Sequence, residues 1–377
     1  MSSLPSAMHF NPTLLSRRVE SIPPLRFVAG AMAAIVVVGI IDHLTGPVVS
    51  LAILYVVPVA ATAWVVGPRP AFAVAVVAAT TWAVADRVGP VAEPRADLAY
   101  INDASMFALS AVIVAAVGTL RREVHKQRDL MQEVQRHLLP QRIPAVAGAV
   151  IAAQWMPLWT VGGDYYDVID AGPGRVALCL ADVSGKGMTA ALIMSNVQAI
   201  VRTVATDRRH APDRMLATLN QLLHDRLAGG FFVTAFYAVL DTATGMLSFA
   251  NAGHPPAMLR RKDGTVEPLA STGPVAGLLP GATYRCIDVH FNEGDQLVIY
   301  SDGVTEYENR AGLQFGESRL GQLLTVSTVT SAEETCSTIA TALHEFGEGR
   351  AFNDDVTMLV AVRTSRPSTL STGDNDG

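Results

Sequence analysis

Four short runs set an aspartate at the edge of a β-rich stretch or beside glycine: Gly162-Gly163-Asp164, Asp182-Val183-Ser184-Gly185-Lys186-Gly187, Ser301-Asp302-Gly303 and Asn353-Asp354-Asp355-Val356-Thr357. A strand that ends in such a run projects a carboxylate from a fixed point, and small neighbours leave room beside it for something hard and positive. Carboxylates that meet repel one another, so a converging set needs a divalent cation to hold it. No cysteine or histidine accompanies these runs, which selects oxygen-preferring Mn²⁺ or Mg²⁺ over zinc. Two such ions about 3.5 to 4 Å apart activate a shared water and clamp the attacking and leaving oxygens of an in-line phosphoryl displacement. The chemistry predicted is metal-assisted hydrolysis of a phosphate ester. One Asp-Gly pair alone reads as a turn; four in strand context are harder to dismiss.

The elements that must position these groups lie between about 148 and 363. Alternating or apolar β-rich runs occur at 150–156, 175–183, 231–241, 246–251, 284–291, 296–300 and 355–363, separated by turns such as Thr244-Gly245, Lys262-Asp263-Gly264 and Glu293-Gly294-Asp295. Helical patterns cover about 188–205, 212–227 and 332–346. Strands joined by hairpins, with helices grouped apart, predict an α+β domain of antiparallel sheets flanked by helices. From 364 to 377 there is almost nothing apolar to bury, and a disordered tail is expected.

The first third has another character. The 377 residues are 50% hydrophobic and only 16% charged, a balance that places part of the chain in lipid. Apolar stretches at 26–45, 48–66, 70–87 and 98–120 each approach the ~20 residues a helix needs to cross a bilayer. Four transmembrane helices are expected over 26–120, after an N-terminal segment of residues 1–25. Arg17, Arg18 and Arg26 before the first and Arg121, Arg122, Lys126 and Arg128 after the last put both ends in the cytoplasm of an inner-membrane protein. Asp42, His43, Asp86, Asn102 and Asp103 fall at the outer ends of these spans, where a sensing role competes with side chains simply reaching water.

Residues 121–147 form a linker. Its helix, 121–139, carries Val124, Met131 and Leu138 seven apart with Val134 between them, a short stripe suited to pairing with a second copy or to lying on the next domain. Residues 1–120 hold six basic and six acidic side chains, so 22 of the 28 basic and 28 of the 34 acidic residues fall in the remainder. An acidic domain argues against nucleic acid as a partner. Cys179, Cys286 and Cys336 are scattered and form no C-x-x-C pair, which indicates buried thiols rather than disulfides or a zinc site.

A series of blocks in unbroken order resembles a known family. Gln135-Arg136-His137-Leu138-Leu139-Pro140, V-G-G-D-Y-Y-D at 161–167, A-D-V-S-G-K-G at 181–187, F-V-T-A-F-Y at 232–237, N-A-G-H-P-P at 251–256, Y-S-D-G-V-T-E at 300–306 and D-D-V-T at 354–357 are similar to the SpoIIE/RsbU branch of the metal-dependent PPM-type serine/threonine protein phosphatases. The resemblance implies a two-sheet antiparallel sandwich flanked by helices over 148–363. It implies two ions, Mn²⁺ or Mg²⁺, with Asp182 bridging both, the Val183 carbonyl at one, and Asp302 and Asp354 at the other. Asp164 would act through a metal-held water or as an outer ligand. Adjacent side chains on a strand point to opposite faces, so of Asp354 and Asp355 only one is expected to reach the ions. Asp354 matches the family's closing motif. The arginine with which eukaryotic relatives grip phosphate is absent, Trp159-Thr160-Val161 standing there. Lys186 is the nearest cation by sequence, either a phosphate contact or a solvated loop lysine. His254 is either a general acid for the leaving oxygen or a turn residue.

The substrate implied is a phosphoserine or phosphothreonine on a small protein, typically a STAS-domain antagonist of an anti-sigma factor. The contrasting reading is a non-catalytic membrane receptor that uses the same fold to bind a partner.

Overall fold

The computed structural model describes residues 22–45, 51–88, 96–158, 161–206, 211–226 and 230–365, without the side chains of 52, 86–88, 96–104, 106, 107 and 128. The chain divides into two compact units, Met1–Gln127 and Arg128–Gly377.

The first unit contains helices α1 (Pro24–Thr45), α2 (Ala52–Val65), α3 (Pro68–Val88) and the first part of α4 (Ala96–Leu138). Only Ala31, Ile35 and Gly39 of α1 are buried, whereas Val36, Val37, Ile40 and Ile41 are exposed. A helix this apolar on its outer face suits lipid. A Cβ on Gly39 would stand 2.4 Å from the Thr81 methyl, so glycine there lets α1 and α3 approach closely. Asp42 accepts a hydrogen bond from the Tyr55 hydroxyl at 3.2 Å.

These apolar helices are consistent with membrane association, but they are not four clear spans. Among the described residues, Pro24–Thr45, Pro68–Ala85 and Met188–Ala205 are long and apolar enough to cross a bilayer, and Ile53–Val65 is shorter. The third of these belongs to the second unit, where its inner face is packed on a sheet. The expected span 98–120 lies within α4, a continuous helix of 43 residues that also takes in most of the expected linker helix. The side chains of Asp86, Asn102 and Asp103 lie outside the described residues, as does the expected tail beyond 365.

The second unit carries β1 (Ala149–Met156), β2 (Tyr165–Gly172), β3 (Arg175–Val183), α5 (Met188–Thr206), α6 (Pro212–His224), β4 (Val233–Asp241), β5 (Met246–Ala252), β6 (Ala257–Arg260), β7 (Val266–Leu269), β8 (Ile287–His290), β9 (Gln296–Tyr300), α7 (Asp302–Thr305), α8 (Gly316–Val326), α9 (Ala332–Gly347) and β10 (Val356–Arg363). Two five-stranded sheets form, in the orders β1-β10-β9-β6-β7 and β2-β3-β4-β5-β8. All their pairings are antiparallel.

The period of two along a strand assigns each side chain to a layer. In β3, Ala177, Cys179, Ala181 and Val183 pack with α5 and α6, while Val176, Leu178 and Leu180 pack between the sheets. In β10, Leu359 and Ala361 face the other sheet, and Met358, Val360 and Val362 face α8 and α9. The result is a helix, sheet, sheet, helix sandwich. Phe236 and Phe249 stack between the sheets with ring centroids 5.4 Å apart, a pair worth about 0.5 to 1.5 kcal/mol beyond its buried area.

Strands β2, β6 and β7 and helix α8 have no counterpart in the sequence reading. In β2, Asp167 and Asp170 interrupt the apolar pattern, yet Asp167 is fully buried against Arg202 of α5. In β6, Arg260 is buried because its guanidinium donates to the Leu324 and Ser327 carbonyls at 2.7 and 2.6 Å. Buried charges with tertiary partners look like surface residues in a one-dimensional pattern.

Candidate active site

The layer assignment also places the acidic groups. Asp182 continues the even series of β3, and Ser301 and Thr357 continue the odd series of β9 and β10, so all three turn toward the space between the sheets at one end of the sandwich. Asp164 enters β2 and Asp302 leaves β9 at that end. The Thr357 hydroxyl donates to Asp164, which is 1% exposed. Ser301 ties the strand ends together: its hydroxyl donates to the Asp355 carbonyl at 3.2 Å and accepts from the Thr357 N–H at 3.0 Å.

Three glycines of the runs, Gly162, Gly163 and Gly303, are close approaches. A Cβ on Gly163 would meet the Val183 carbonyl at 3.0 Å and an Asp182 carboxylate oxygen at 3.5 Å. On Gly162 it would meet the Asp355 carboxylate at 2.2 Å, and on Gly303 the Asp355 carbonyl at 1.9 Å. Backbone and carboxylates come together only because these side chains are missing.

The two adjacent aspartates are used differently. Asp355 is a loop clamp, with its oxygens accepting from Leu158 N–H at 2.8 Å and Gly163 N–H at 2.9 Å. Asp354 is more open and pairs with the Lys186 ammonium, which also donates to the Asn353 carbonyl at 3.0 Å. Lys186 is therefore engaged with a carboxylate, where the sequence left a phosphate contact or a free loop lysine open.

The electrostatics report the convergence. Burial, then Asp182 and Asp355, hold the Asp164 carboxyl well above the usual carboxylate range, and the Thr357 and Ser301 hydroxyls offset part of this. Burial, then the like charges of Asp302, Asp354 and Asp355, raise Asp182 in the same way, with hydrogen bonding to Asp164 opposing. Asp302 is pushed up to about 6 by burial, Asp354 and Glu306, against the pull of Lys186. Carboxylates raised by burial and by one another's charge make this end of the sandwich a candidate functional site.

These groups fit a hard divalent cation. The donor set is oxygen throughout, and glycine at 163 keeps a side chain away from the Val183 carbonyl and the Asp182 carboxylate. Among the described residues, however, no three His, Cys, Asp or Glu side chains stand close enough to hold one ion as they are. The Lys186 ammonium supplies positive charge at Asp354.

His254 is 2% exposed. Its Nδ1 pairs with the Thr234 hydroxyl at 2.8 Å, and its backbone N–H donates to the Asn251 side chain at 2.8 Å. Thr234 is the cross-strand partner of Asp182. Burial lowers the His254 imidazole to about 3; the Tyr300 carbonyl opposes this electrostatically, but Nε2 has no partner in hydrogen-bond geometry. Trp159 and Thr160 lie outside the described residues.

Two features of the site were not foreseen as such. Asp167 accepts from Arg202 Nε at 2.7 Å and Nη2 at 3.1 Å and from the Tyr165 hydroxyl at 2.7 Å, pinning α5 to β2. Tyr165 and Asp167 stand two apart on one strand face, the only trace of this in the sequence. The second is Gln135, buried near the end of α4, whose side chain bonds Gly162.

An antiparallel two-sheet sandwich with carboxylates gathered at one end defines a PPM-type phosphatase fold. Residues 172–364 match the family described as Stage II sporulation protein E (SpoIIE), more than half of the chain, and the chain belongs to that family. Among curated proteins it is similar to phosphoserine phosphatase RsbU of Bacillus subtilis, 29% identical over 245 residues, covering 65% of this chain and 72% of that one. It is also similar to protein IcfG of Synechocystis, 29% identical over 272 residues and 65% of this chain, but spans only 42% of that protein's length. Among solved structures, the RsbU and RsbW domains of Rv1364c from Mycobacterium tuberculosis align with a TM-score of 0.53 at 25% identity, covering 61% of this chain and 64% of that one. The SiaA-PP2C domain of Pseudomonas aeruginosa aligns with a TM-score of 0.58 at 23% identity, covering 65% and 99%, and shares the fold.

Proposed function

We propose that this chain is a membrane-anchored, metal-dependent serine/threonine protein phosphatase. The observation that carries the reading is the crowding of carboxylates at one end of the sandwich, where, beyond the effect of burial, Asp302 and Asp354 raise the proton affinity of Asp182 and Asp354 raises that of Asp302, beside the Val183 carbonyl that Gly163 packs against. Asp182, Val183, Asp302 and Asp354 would hold two Mn²⁺ or Mg²⁺ ions, which when bound supply an activated water and charge neutralisation for phosphoryl transfer. Asp164, fixed by Thr357, orients groups on the Asp182 side of the site. Asp355 and the glycines hold the backbone that carries the ligands. Lys186, released from Asp354 when that carboxylate takes another cation, is free to meet the substrate phosphate. His254, sealed beneath β4, supports the strand bearing Thr234.

The substrate class follows from kinship with RsbU: a phosphoserine or phosphothreonine on a signalling protein, with a STAS-domain anti-sigma-factor antagonist as the specific candidate. In this reading four helices within 26–120 span the inner membrane, the N-terminus and the 148–363 domain are cytoplasmic, 121–147 is a signalling linker, and two copies pair through it.

The test is hydrolysis of a phosphoserine peptide by the full chain in detergent, with Mn²⁺, Mg²⁺ or EDTA. Metal-dependent turnover that disappears in Asp182→Ala and Asp302→Ala is expected. A protein that binds its partner equally well in both variants and hydrolyses nothing is a receptor, and the phosphatase reading ends there.

A further inference from the structure

The last turns of α4 are fastened by one side chain to the Gly162-Gly163 loop that precedes β2. Gln135 is 3% exposed; its amide NH₂ donates to the Gly162 carbonyl at 2.6 Å and its oxygen accepts from the Gly162 N–H at 3.0 Å. A carboxamide presents a donor and an acceptor in one plane, so it meets a peptide edge as a neighbouring strand would. Few other side chains satisfy both backbone groups at once, and buried backbone groups need partners.

What Gln135 grips is the most crowded backbone of the site. Gly162 is pressed against the Asp355 carboxylate, which also receives the Gly163 N–H at 2.9 Å. Gly163 in turn lies against the Val183 carbonyl and the Asp182 carboxylate, and Asp164 follows it. Gln135, Gly162, Gly163 and the Asp182-Val183 pair thus form a continuous line of contacts. Leu139, one turn further on, is buried in the core formed with α5 and α6, so the grip on Gly162 is anchored.

We infer that Gln135 is a positioning residue that, from the end of α4, sets the Gly162-Gly163 backbone packed against the ion-holding Asp182-Val183 pair. It rests on the phosphatase reading above. Any movement of residues 128–138 along or about the helix axis is transmitted to Gly162 through two hydrogen bonds. A shift of about 0.5 Å is enough to degrade a catalytic constellation. Gln135 therefore acts, through Gly162 and Gly163, on the Asp182-Val183 pair and so on metal affinity.

The experiment uses the full chain in lipid nanodiscs, titrated with Mn²⁺ by calorimetry without substrate and then assayed on a phosphopeptide. Gln135→Ala is expected to weaken Mn²⁺ binding by about 10- to 100-fold, the range for residues that support metal ligands. Its kcat returns toward wild type at saturating Mn²⁺, with KM for the peptide unchanged. Gln135→Glu keeps the acceptor but not the donor, and falls between the two even if the alanine variant does not fold. Wild-type Mn²⁺ affinity in Gln135→Ala, or in Gln135→Glu if alanine fails to fold, overturns the inference and leaves the phosphatase reading intact. A wild-type chain that neither binds Mn²⁺ nor turns over peptide overturns both.

Discussion

Lys186 and Asp354, 168 residues apart, form an ion pair at the exposed edge of the candidate site. The ammonium comes from the glycine-rich loop after β3 and the carboxylate from the segment entering β10, so the pair closes the gap between the two sheets. It also sets a cation on a carboxylate that the family resemblance gives to a metal ion.

Removing that ammonium relieves a competitor. The side chains are 48% and 31% exposed, so the pair contributes at most about 1 kcal/mol. Lys186→Met is expected to tighten Mn²⁺ binding by up to about fivefold, read by calorimetry, while raising KM for a phosphopeptide. Weaker Mn²⁺ binding in this variant would show that the lysine assists the ion instead of competing with it.

Metal removal should expose the repulsion within the site. Asp182, Asp302 and Asp354 crowd like charges together, and a bound divalent ion turns that penalty into attraction. Thermal unfolding of the second unit is expected at a higher temperature in Mn²⁺ than in EDTA, a gain of about 2.7 kcal/mol at 100 times Kd. Asp182→Asn should raise the EDTA value and abolish the Mn²⁺ increment. An increment that survives in this variant places the ions elsewhere.

The Asp167–Arg202 pair should matter to stability more than a surface ion pair. Asp167 is fully buried whereas the Arg202 side chain is 50% exposed. Arg202→Ala removes the guanidinium from the carboxylate and leaves the hydrogen bonds from the Tyr165 hydroxyl and the Val168 N–H in place. The expected cost is about 2 kcal/mol, below the ~3 to 5 kcal/mol of a fully buried pair because half of the arginine is already hydrated. Chemical denaturation of Arg202→Ala and Asp167→Asn measures it; an unchanged midpoint in the arginine variant rules the anchor out.

His254 predicts a pH dependence with a definite sign. Its folded pKa of about 3 lies below the ordinary histidine value, so between about 6.5 and 3 the unfolded chain binds the extra proton. Its contribution is fully present above about pH 6.5 and is lost as pH falls, by up to about 1.4 kcal/mol per unit. The difference in unfolding free energy between wild type and His254→Phe should therefore change with pH across pH 6.5 to 4. A constant difference means that the ring is protonated as easily folded as unfolded.

Gly303→Ala tests the close approach at the end of β9. The added methyl would stand 1.9 Å from the Asp355 carbonyl, and backbone cannot rotate away as a side chain does. Overpacking of this kind costs about 1 to 3 kcal/mol or more. A lower denaturation midpoint together with weaker Mn²⁺ binding is expected; wild-type values for both would mean that α7 shifts freely.

Much of this was legible in the chain. Strands β3, β4, β5, β9 and β10 follow apolar runs, and α5, α6 and α9 follow helical periodicity, because packing against one neighbour leaves a period of 2 or 3.6 in the residues. The acidic runs were legible for the same local reason: strand, aspartate and glycine are adjacent in sequence. The residues that β2 and β6 contribute were hidden, since a buried Asp167 or Arg260 is indistinguishable from a solvated one until its partner is known.

The amino-acid order by itself determined which residue types were available for chemistry, the strands and helices whose packing leaves a clear period, and the apolar character of the first third. Tertiary structure alone decided that Asp355 clamps a loop while Asp354 faces Lys186, that His254 is sealed away, and that Gln135 reaches Gly162 across 27 residues. Those outcomes depend on groups far apart in the chain meeting at single-ångström distances. Such meetings are set by the packing of two sheets, a property of the whole core that no local run encodes.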